Sequence, residues 1–390
     1  MKKKVMSLVL AAAMTATLFA GCGSSSDSTT DNAAGNAATD NSTAADNAAE
    51  STEAGASNAE STDGYELALV IDVGTIDDKS FNQGSWEGVE KYGDENGIAY
   101  KYYKSAEATT DSFQQTIKLA IEGGAKVIVC PGYLFEEPIY NMQTQYPDVK
   151  FILIDGEPHD ADYNYATADN TMAVLYQEDQ AGFLAGYAAV KDGYTKLGFM
   201  GGMALPAVIR YGYGYLAGVN YAAEELGINV DVTYTYTGSF EATPEAQSMA
   251  TGWYQAGTEV IFACGGSVGN SVMAAAEATD NAKVIGVDVD QSSESNTVIT
   301  SAMKMLSNSV YDAITAAYDG SFPGGKTTTF NITNDGVGIA MDTAKFNTFS
   351  QDDYNAIYAK LVAGDITIDN DVEKEATDLE LSNVTLNYVQ

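Results

Sequence analysis

The sequence is poor in the side chains that most catalytic and metal chemistry uses. Among 390 residues there is one arginine, Arg210, and one histidine, His159. That starves any mechanism needing an arginine clamp on phosphate, a histidine-rich metal site or several imidazoles. Lysine and arginine together number 19 against 54 aspartates and glutamates, a formal charge of −35, and such a field repels polynucleotides and excludes a nucleic-acid-binding role. Only Cys22, Cys130 and Cys264 carry thiols. The first lies in a processing signal and the other two end apolar runs, so buried thiols are expected in place of a disulfide framework. Beyond the N-terminus no segment approaches the roughly 20 consecutive apolar residues of a membrane helix. At roughly 150 residues per domain the chain has room for two to three domains.

What is present begins with an export signal. Residues 1–22, MKKKVMSLVLAAAMTATLFAGC, combine a lysine cluster, a short apolar stretch rich in Ala and Thr, and a small-residue cleavage site. The end, Leu18-Phe19-Ala20-Gly21-Cys22, resembles a bacterial lipobox, which makes residues 1–21 a lipoprotein signal peptide and Cys22 the lipid-bearing N-terminus; an ordinary secretory signal with a chance cysteine is the plainer alternative. Loss of Lys2, Lys3 and Lys4 with the signal takes the formal charge from −35 to −38. From Gly23 to Gly64 the chain is Ser, Thr, Asn, Ala, Gly and acids, with eight carboxylates and no lysine or arginine. It cannot bury enough surface to fold, so residues 22–64 read as a disordered acidic linker spanning a few tens of ångströms.

From Glu66 onward short apolar β-rich runs alternate with helical stretches: ELALVIDVG, AYKYYK, AKVIVCPG and VKFILIDG, with helices near 79–96, 110–123 and 134–146. The pattern restarts with TKLGFMGG, DVTYTYTG, TEVIFACGG and AKVIGVDVD, with helices near 207–226, 244–256 and 268–279. Continuous apolar strands alternating with helices predict a parallel sheet covered on both faces, and the internal match predicts two similar doubly wound lobes. Ligands of such sheets bind beyond the carboxyl ends of the strands, where Asp72, Gly74, Gly132, Asp155, Gly201, Gly265, Gly266 and Asp288 stand. After Asp290 come a strand NTVITSAM, a helix near 306–319, a strand pair around TTTFNIT and GVGIAMD, and a helix near 350–362. That is too little for a third domain. It predicts crossings to the first lobe near Thr297 and to the second near Thr329. The expected organisation is lobe 1 from 66–168 plus 297–328, lobe 2 from 169–296 plus 329–366, and a C-terminal extension over 367–390 whose acid-rich stretch 369–380 is solvated.

Two enzyme strings fail on context. Gly320 to Thr327, GSFPGGKT, fits the phosphate-loop pattern, but a helix precedes it and a strand follows, and Pro323 removes an amide donor, so it reads as a turn. Gly265-Gly266-Ser267-Val268-Gly269 fits a hydrolase nucleophile elbow between strand and helix. That chemistry needs a histidine base, and His159 lies far upstream in a polar loop, where a solvated side chain is expected. A Ser267 hydrolase is kept as the remote rival. The glycines of GYGYLAG, 212–218, read as close packing on a helix face.

The run Leu69-Val70-Ile71-Asp72-Val73-Gly74 with Asp77-Asp78-Lys79-Ser80-Phe81-Asn82-Gln83 resembles the start of the basic membrane protein family of substrate-binding lipoproteins, which includes purine nucleoside receptors of ABC-type importers. Further matches follow in order: Phe151–Gly156, Glu178–Tyr187, Gly198–Gly202, Gly265–Ser267, Gly286–Gln291 and Thr300–Lys304. The resemblance implies an α/β, type I periplasmic-binding-protein-like fold of two doubly wound lobes joined by a three-segment hinge. It also implies Phe81 and Phe240 as the faces of a base sandwich with Tyr211 as an additional wall. Asp72, Asn82 and Asp155 would stand at the base edge, and Asp288, Lys304 and the Gly266 backbone at the ribose, with Lys304 balancing Asp288.

Each residue also has a plain structural reading. Phe81, Phe240 and Tyr211 serve equally as packing residues, Asp72 and Asp288 as helix caps, and Lys304 as a snorkelling surface lysine. Pro131 and the Tyr-rich 211–215 run depart from the family pattern and bear on base preference. The expectation is a non-enzymatic, lipid-anchored receptor on the extracytoplasmic face of the cell membrane. It captures a nucleoside, a purine in the first instance, and delivers it to ABC permease and ATPase subunits. No cofactor or metal is expected, and the receptor is expected as a monomer. A sugar or other small polar metabolite, taken up or sensed, is the neighbouring alternative.

Overall fold

The computed structural model describes residues 54–57 and 64–389. The expected signal peptide, Cys22 and most of the expected linker lie outside the described residues. Where the sequence runs several apolar β-formers together the chain forms a strand, and amphipathic or wholly apolar helices fill the intervals. Strand β1 (Ala54–Ser57) precedes β2 (Leu67–Ile71), α1 (Phe81–Asn96), β3 (Tyr100–Lys104), α2 (Thr110–Glu122), β4 (Val127–Pro131), α3 (Glu136–Gln145), β5 (Lys150–Ile154) and β6 (Thr171–Tyr176). The pattern repeats through α4 (Glu178–Lys191), β7 (Lys196–Gly201), α5 (Pro206–Leu226), β8 (Val230–Tyr236), α6 (Pro244–Gln255), β9 (Val260–Cys264), α7 (Val268–Glu277), β10 (Lys283–Asp288) and β11 (Val298–Lys304). Then come α8 (Leu306–Asp319), β12 (Lys326–Phe330), β13 (Val337–Ile339), α9 (Gln351–Val362) and β14 (Val384–Tyr388).

Two sheets result, ordered β1-β3-β2-β4-β5-β6-β12 and β13-β11-β10-β9-β7-β8-β14. Strands β2 to β6 and β7 to β11 are parallel and take the same order within their sheets, the second strand outside the first and the others following on its far side. This is the doubly wound arrangement, whose crevice lies beyond the carboxyl ends of the strands. The chain passes between the lobes three times, at Gln177, at Met305 and across 331–336, which makes the three-segment hinge. The crossings are tied together: the Gln177 N–H donates to the Phe330 carbonyl at 2.9 Å and the Met305 N–H to that of Gly336 at 3.0 Å.

Several expectations are corrected. The NTVITSAM strand stays in the second lobe as β11, paired parallel to β10, so the crossing falls at Met305, not near Thr297. Strand β6 likewise belongs to the first sheet beside β5, so that lobe extends past residue 168. Both displacements have one cause: each fifth strand is reached by a loop where a crossover helix is usual, and the missing helix suggested a change of lobe. TTTFNIT and GVGIAMD do not pair with each other; β12 joins β6, and β13 joins β11 in the other sheet. The tail is not a solvated extension throughout. Its alternating VTLNY run completes the open edge of β8 as β14, Tyr388 stacks on Tyr234 at 5.8 Å, and Ala376 is buried. Within the expected linker, residues 54–57 pair antiparallel with β3, whose outer edge is otherwise open.

Helix α4 was not anticipated as a helix because it is buried nearly all round and so shows no amphipathic period. It packs backbone to backbone on α5. A Cβ at Gly182 would sit 2.2 Å from the Tyr211 carbonyl and one at Gly186 2.3 Å from that of Tyr215. Reciprocally, a Cβ at Gly214 or Gly218 would sit 1.9 or 2.0 Å from the carbonyls of Asp179 and Phe183. The glycines of the 212–218 run therefore do serve close packing. Cys130 and Cys264 are buried free thiols, and the 320–325 stretch is a turn after α8, opened by Gly320 in the left-handed region at φ 86°.

Candidate functional site

The centre of the site is an ammonium that the fold takes out of water. Strand β11 ends on Lys304, which is 3% exposed, because the residue closes a strand buried on both faces exactly where the chain turns into the hinge. Its Nζ is ion-paired with Asp155 Oδ2 and, at 3.1 Å, with Glu178 Oε1. Asp155 is the first residue past β5, held at φ 62° with its N–H on the Val174 carbonyl at 2.8 Å. Glu178 opens α4 and is fully buried. The partial positive charge of a helix N-terminus favours a carboxylate there, and its Oε2 accepts from Arg210 Nε at 2.6 Å. The rings of Phe81, Tyr176 and Tyr211 surround the ammonium at 5.1, 5.2 and 5.5 Å from their centroids, within cation–π range.

The electrostatics follow from this packing. Burial works against the charge on Lys304, but the carboxylates of Asp155, Glu178 and Asp288 outweigh it and hold its pKa above the ordinary lysine value. Burial also opposes ionisation of Glu178, and Lys304 and Arg210 more than compensate, so its pKa is lowered. For Asp155 burial wins over Lys304 and raises the pKa. Asp288 is raised by burial in the same way. Asp155 Oδ1 is buried and has no hydrogen-bond partner in the protein.

The second lobe contributes Asp288, at the end of β10 with φ 66°. Its Oδ2 accepts from Ser80 Oγ of the first lobe at 2.6 Å, and Tyr211 Oη lies 3.5 Å from its Oδ1. Beside it, Gln291 Nε2 donates to the Lys79 carbonyl at 2.7 Å, so the lobes are in direct polar contact. Asp72 and Asn82 form a separate pair on the first lobe. Both side chains stand beside Gly74: Asp72 Oδ1 takes the Gly74 N–H at 2.7 Å, and Asn82 Nδ2 donates to the Thr75 carbonyl at 3.3 Å. Phe240 lies against the backbone of Gly202, with its Cβ beside Gly266, which sits at φ 54°.

Among the sequence-derived residues, then, Phe81, Asp155, Tyr211, Asp288 and Lys304 come together. Asp72 and Asn82 lie side by side at Gly74, and Phe240 stands with Gly266. Among the described residues no ring contact joins Phe81 to Phe240. Lys304 is ion-paired with Asp155 and Glu178, while the expected partner Asp288 acts on it through charge without an ion-pair contact, and it is not a snorkelling surface residue. Neither Asp72 nor Asp288 caps a helix. Asp78 does that for α1, its carboxylate accepting the N–H groups of Ser80, Asn82 and Gln83 at 2.9, 3.0 and 3.1 Å; burial raises it to about 6 against those bonds.

Sequence reading missed Glu178, Arg210, Asp78 and Ser80 as parts of the site. One signal was available: a lone arginine in the apolar helix 206–226 requires a buried counter-ion. The solvated His159 is a further correction. It is 7% exposed, its Nε2 stands 3.2 Å from Glu136 Oε2 and its Nδ1 2.7 Å from the Asp160 carbonyl, because the loop around it folds back onto α3. Held in the first lobe beside Glu136 and the Asp160 carbonyl, the single histidine is not placed as a base for Ser267 in the second.

Comparison with known proteins agrees with this architecture. Residues 65–370 match the family model described as ABC transporter substrate-binding protein PnrA-like. The chain is 30% identical over 313 residues, 75% of its own length and 85% of the relative's, to the ABC transporter nucleoside-binding protein BmpA of Lactococcus lactis subsp. cremoris. It is 29% identical to basic membrane protein A1 of Borrelia garinii subsp. bavariensis, covering 78% of this chain and 88% of that one. Among solved structures, a solute-binding protein of an ABC transporter system from Aeropyrum pernix K1 superposes with a TM-score of 0.68 at 23% identity, covering 78% of this chain and 92% of that one. Sequence motifs, two-lobed fold and family match converge: the chain belongs to the basic membrane protein family of ABC transporter substrate-binding proteins.

Proposed function

We propose that the protein is an extracytoplasmic receptor, lipid-anchored through Cys22, that closes on a purine nucleoside between its lobes and hands it to an ABC importer. The observation that carries the ligand class is the buried cluster at Lys304. An ammonium has three N–H donors; Asp155 takes one, while Glu178 Oε1 is ion-paired at 3.1 Å without a hydrogen bond, so donors remain for ligand oxygens. Asp155 Oδ1 is a buried acceptor without a protein partner, and Asp288 Oδ1 has only the long Tyr211 contact. Phe81 lies over the same ammonium. A flat ring to stack on Phe81, with Phe240 as the opposite face, and a cis-diol to meet Lys304 and Asp288 together describe a nucleoside, in keeping with the nucleoside-binding relative from Lactococcus lactis. Stacking on one aromatic face is worth about 1–3 kcal/mol. Asp72 and Asn82 would then read the base edge, and the Gly266 backbone would approach the ribose.

Both lobes contact the ligand in this reading, so binding selects the closed arrangement, and closure is the signal that the importer receives. No bond in the ligand is broken. The test is the Asp288→Ala variant. Its affinity for guanosine or inosine should fall by about 1.5–3 kcal/mol, while its affinity for guanine or hypoxanthine stays within about 0.5 kcal/mol of the unaltered protein. Equal losses for nucleoside and base would remove Asp288 from the ribose.

A further inference from the structure

The histidine that the cleft leaves unused supports a different feature. Residues 155–170, between β5 and β6, contain five carboxylates and no lysine or arginine, and the loop is closed on itself. The Asp160 carboxylate accepts from the backbone N–H groups of Asp162 and Asn164 and from the Asn164 side chain. The Ala166 N–H donates to the Pro158 carbonyl at 2.9 Å, and Gln143 of α3 grips the far end through the Ala166 carbonyl and the Ala168 N–H. On the buried His159–Glu136 pair stand two rings, Tyr163 stacked on the imidazole at 4.6 Å and Tyr165 edge-on at 5.2 Å.

Those rings are nevertheless 61% and 58% exposed, more than any other large hydrophobic side chain among the described residues. Tyr163 also holds φ at 60°, a left-handed conformation that a bulky residue adopts rarely and at a cost. A connection between two strands has no need to hold two rings in water on a strained loop closed by its own hydrogen bonds. Rigid, pre-positioned tyrosines are the usual anchors of binding surfaces. The platform adjoins the cleft rim: Glu136 receives the Glu157 N–H at 2.7 Å, and Gly132, at the end of the preceding strand, faces the Phe81 ring.

We infer that Tyr163 and Tyr165 form a docking surface for a basic, lysine- or arginine-bearing segment of the importer's membrane subunits. The inference rests on the reading of the chain as an ABC receptor and deepens it. Tyrosine faces bind a guanidinium or ammonium through cation–π attraction, and Glu157, Asp160 and Asp162 of the same loop supply complementary charge. The same charge, on a chain of formal charge −35, opposes a second copy of the chain and an anionic lipid surface as occupants.

The test places the photoreactive residue p-benzoylphenylalanine at Tyr165 of the full chain in the producing cells and maps the photo-adduct by mass spectrometry. The expected adduct joins a lysine- or arginine-containing peptide of an ABC membrane subunit. Its yield falls about tenfold when Asp162→Lys is added, and nucleoside affinity stays within about twofold of the unaltered protein. An adduct with lipid, with a second copy or with an unrelated protein, the absence of any adduct, or indifference to Asp162→Lys would each overturn the inference. Because the adduct is read without reference to cargo, failure of the nucleoside reading would leave it intact, and failure of docking would leave nucleoside affinity intact.

Discussion

Glu178 carries more of the site than any residue that touches the proposed ligand. It is the shared counter-ion of Lys304 and Arg210, fully buried, with Lys304 Nζ 3.1 Å from one oxygen and Arg210 Nε 2.6 Å from the other. Replacing it by glutamine keeps the volume and removes the charge, leaving buried Lys304 with Asp155 as its one ion-pair partner and the half-buried Arg210 without its carboxylate. Loss of one member of a buried charge network costs about 3–5 kcal/mol, so Glu178→Gln should lower the unfolding free energy in urea by that amount. Asp162→Asn, on the surface, should change it by less than about 0.5 kcal/mol. A loss below about 1 kcal/mol for Glu178→Gln would show that the cations find other partners. This residue was not legible in the sequence, since a glutamate at a helix start usually only complements the helix dipole in water. Asp155, Asp288 and Lys304 were legible because each ends a recognisable strand, whereas their pairing was not, because which carboxylate reaches the ammonium depends on how far the lobes are closed.

At the scale of elements, the start of α1 and the turn before it are among the parts of the first lobe that meet the second. A Cβ at Gly84 would stand 2.8 Å from Val289 Cγ1 across the cleft and 3.0 Å from Leu306 Cδ1, closer than van der Waals packing permits. The glycine is therefore a spacer both for closure against Val289 and for packing on Leu306 of the same lobe, and Gly84→Val should hold the lobes apart at Val289 at some cost to the first lobe's stability. The expected result is a nucleoside affinity about tenfold weaker or worse, since binding must now select a disfavoured closed state, together with a radius of gyration by X-ray scattering that fails to shrink on adding ligand. Unchanged affinity with normal compaction would mean that α1 adjusts. The elements themselves were largely readable: α8 spans the anticipated 306–319 and α5 differs by one residue at its start. The misses share a physical origin. Helix α4 has no polar face to reveal a period, and β6 and β11 follow loops where a helix is the usual route to a parallel neighbour.

For the whole molecule, duplication and charge were written plainly in the sequence. The two sheets repeat one strand order, and the strand-end carboxylates face each other because the copies are joined by three crossings at one side. The course of the tail was obscured by its acidic 369–380 stretch, which hid the edge strand beyond it. Among the described residues no helix is long and apolar enough to cross a membrane, and attachment through Cys22 belongs to the proposal. The cleft between these lobes is proposed to bind a purine nucleoside as a unit, base and ribose together. Isothermal titration calorimetry of the purified protein, unfolded and refolded to strip carried-over ligand, tests it against guanosine, inosine, adenosine, cytidine and ribose. A dissociation constant near or below micromolar, about −8 kcal/mol, is predicted for the purine nucleosides, with no measurable heat from ribose. A folded protein silent toward all five, or one that binds ribose as tightly as guanosine, would contradict it.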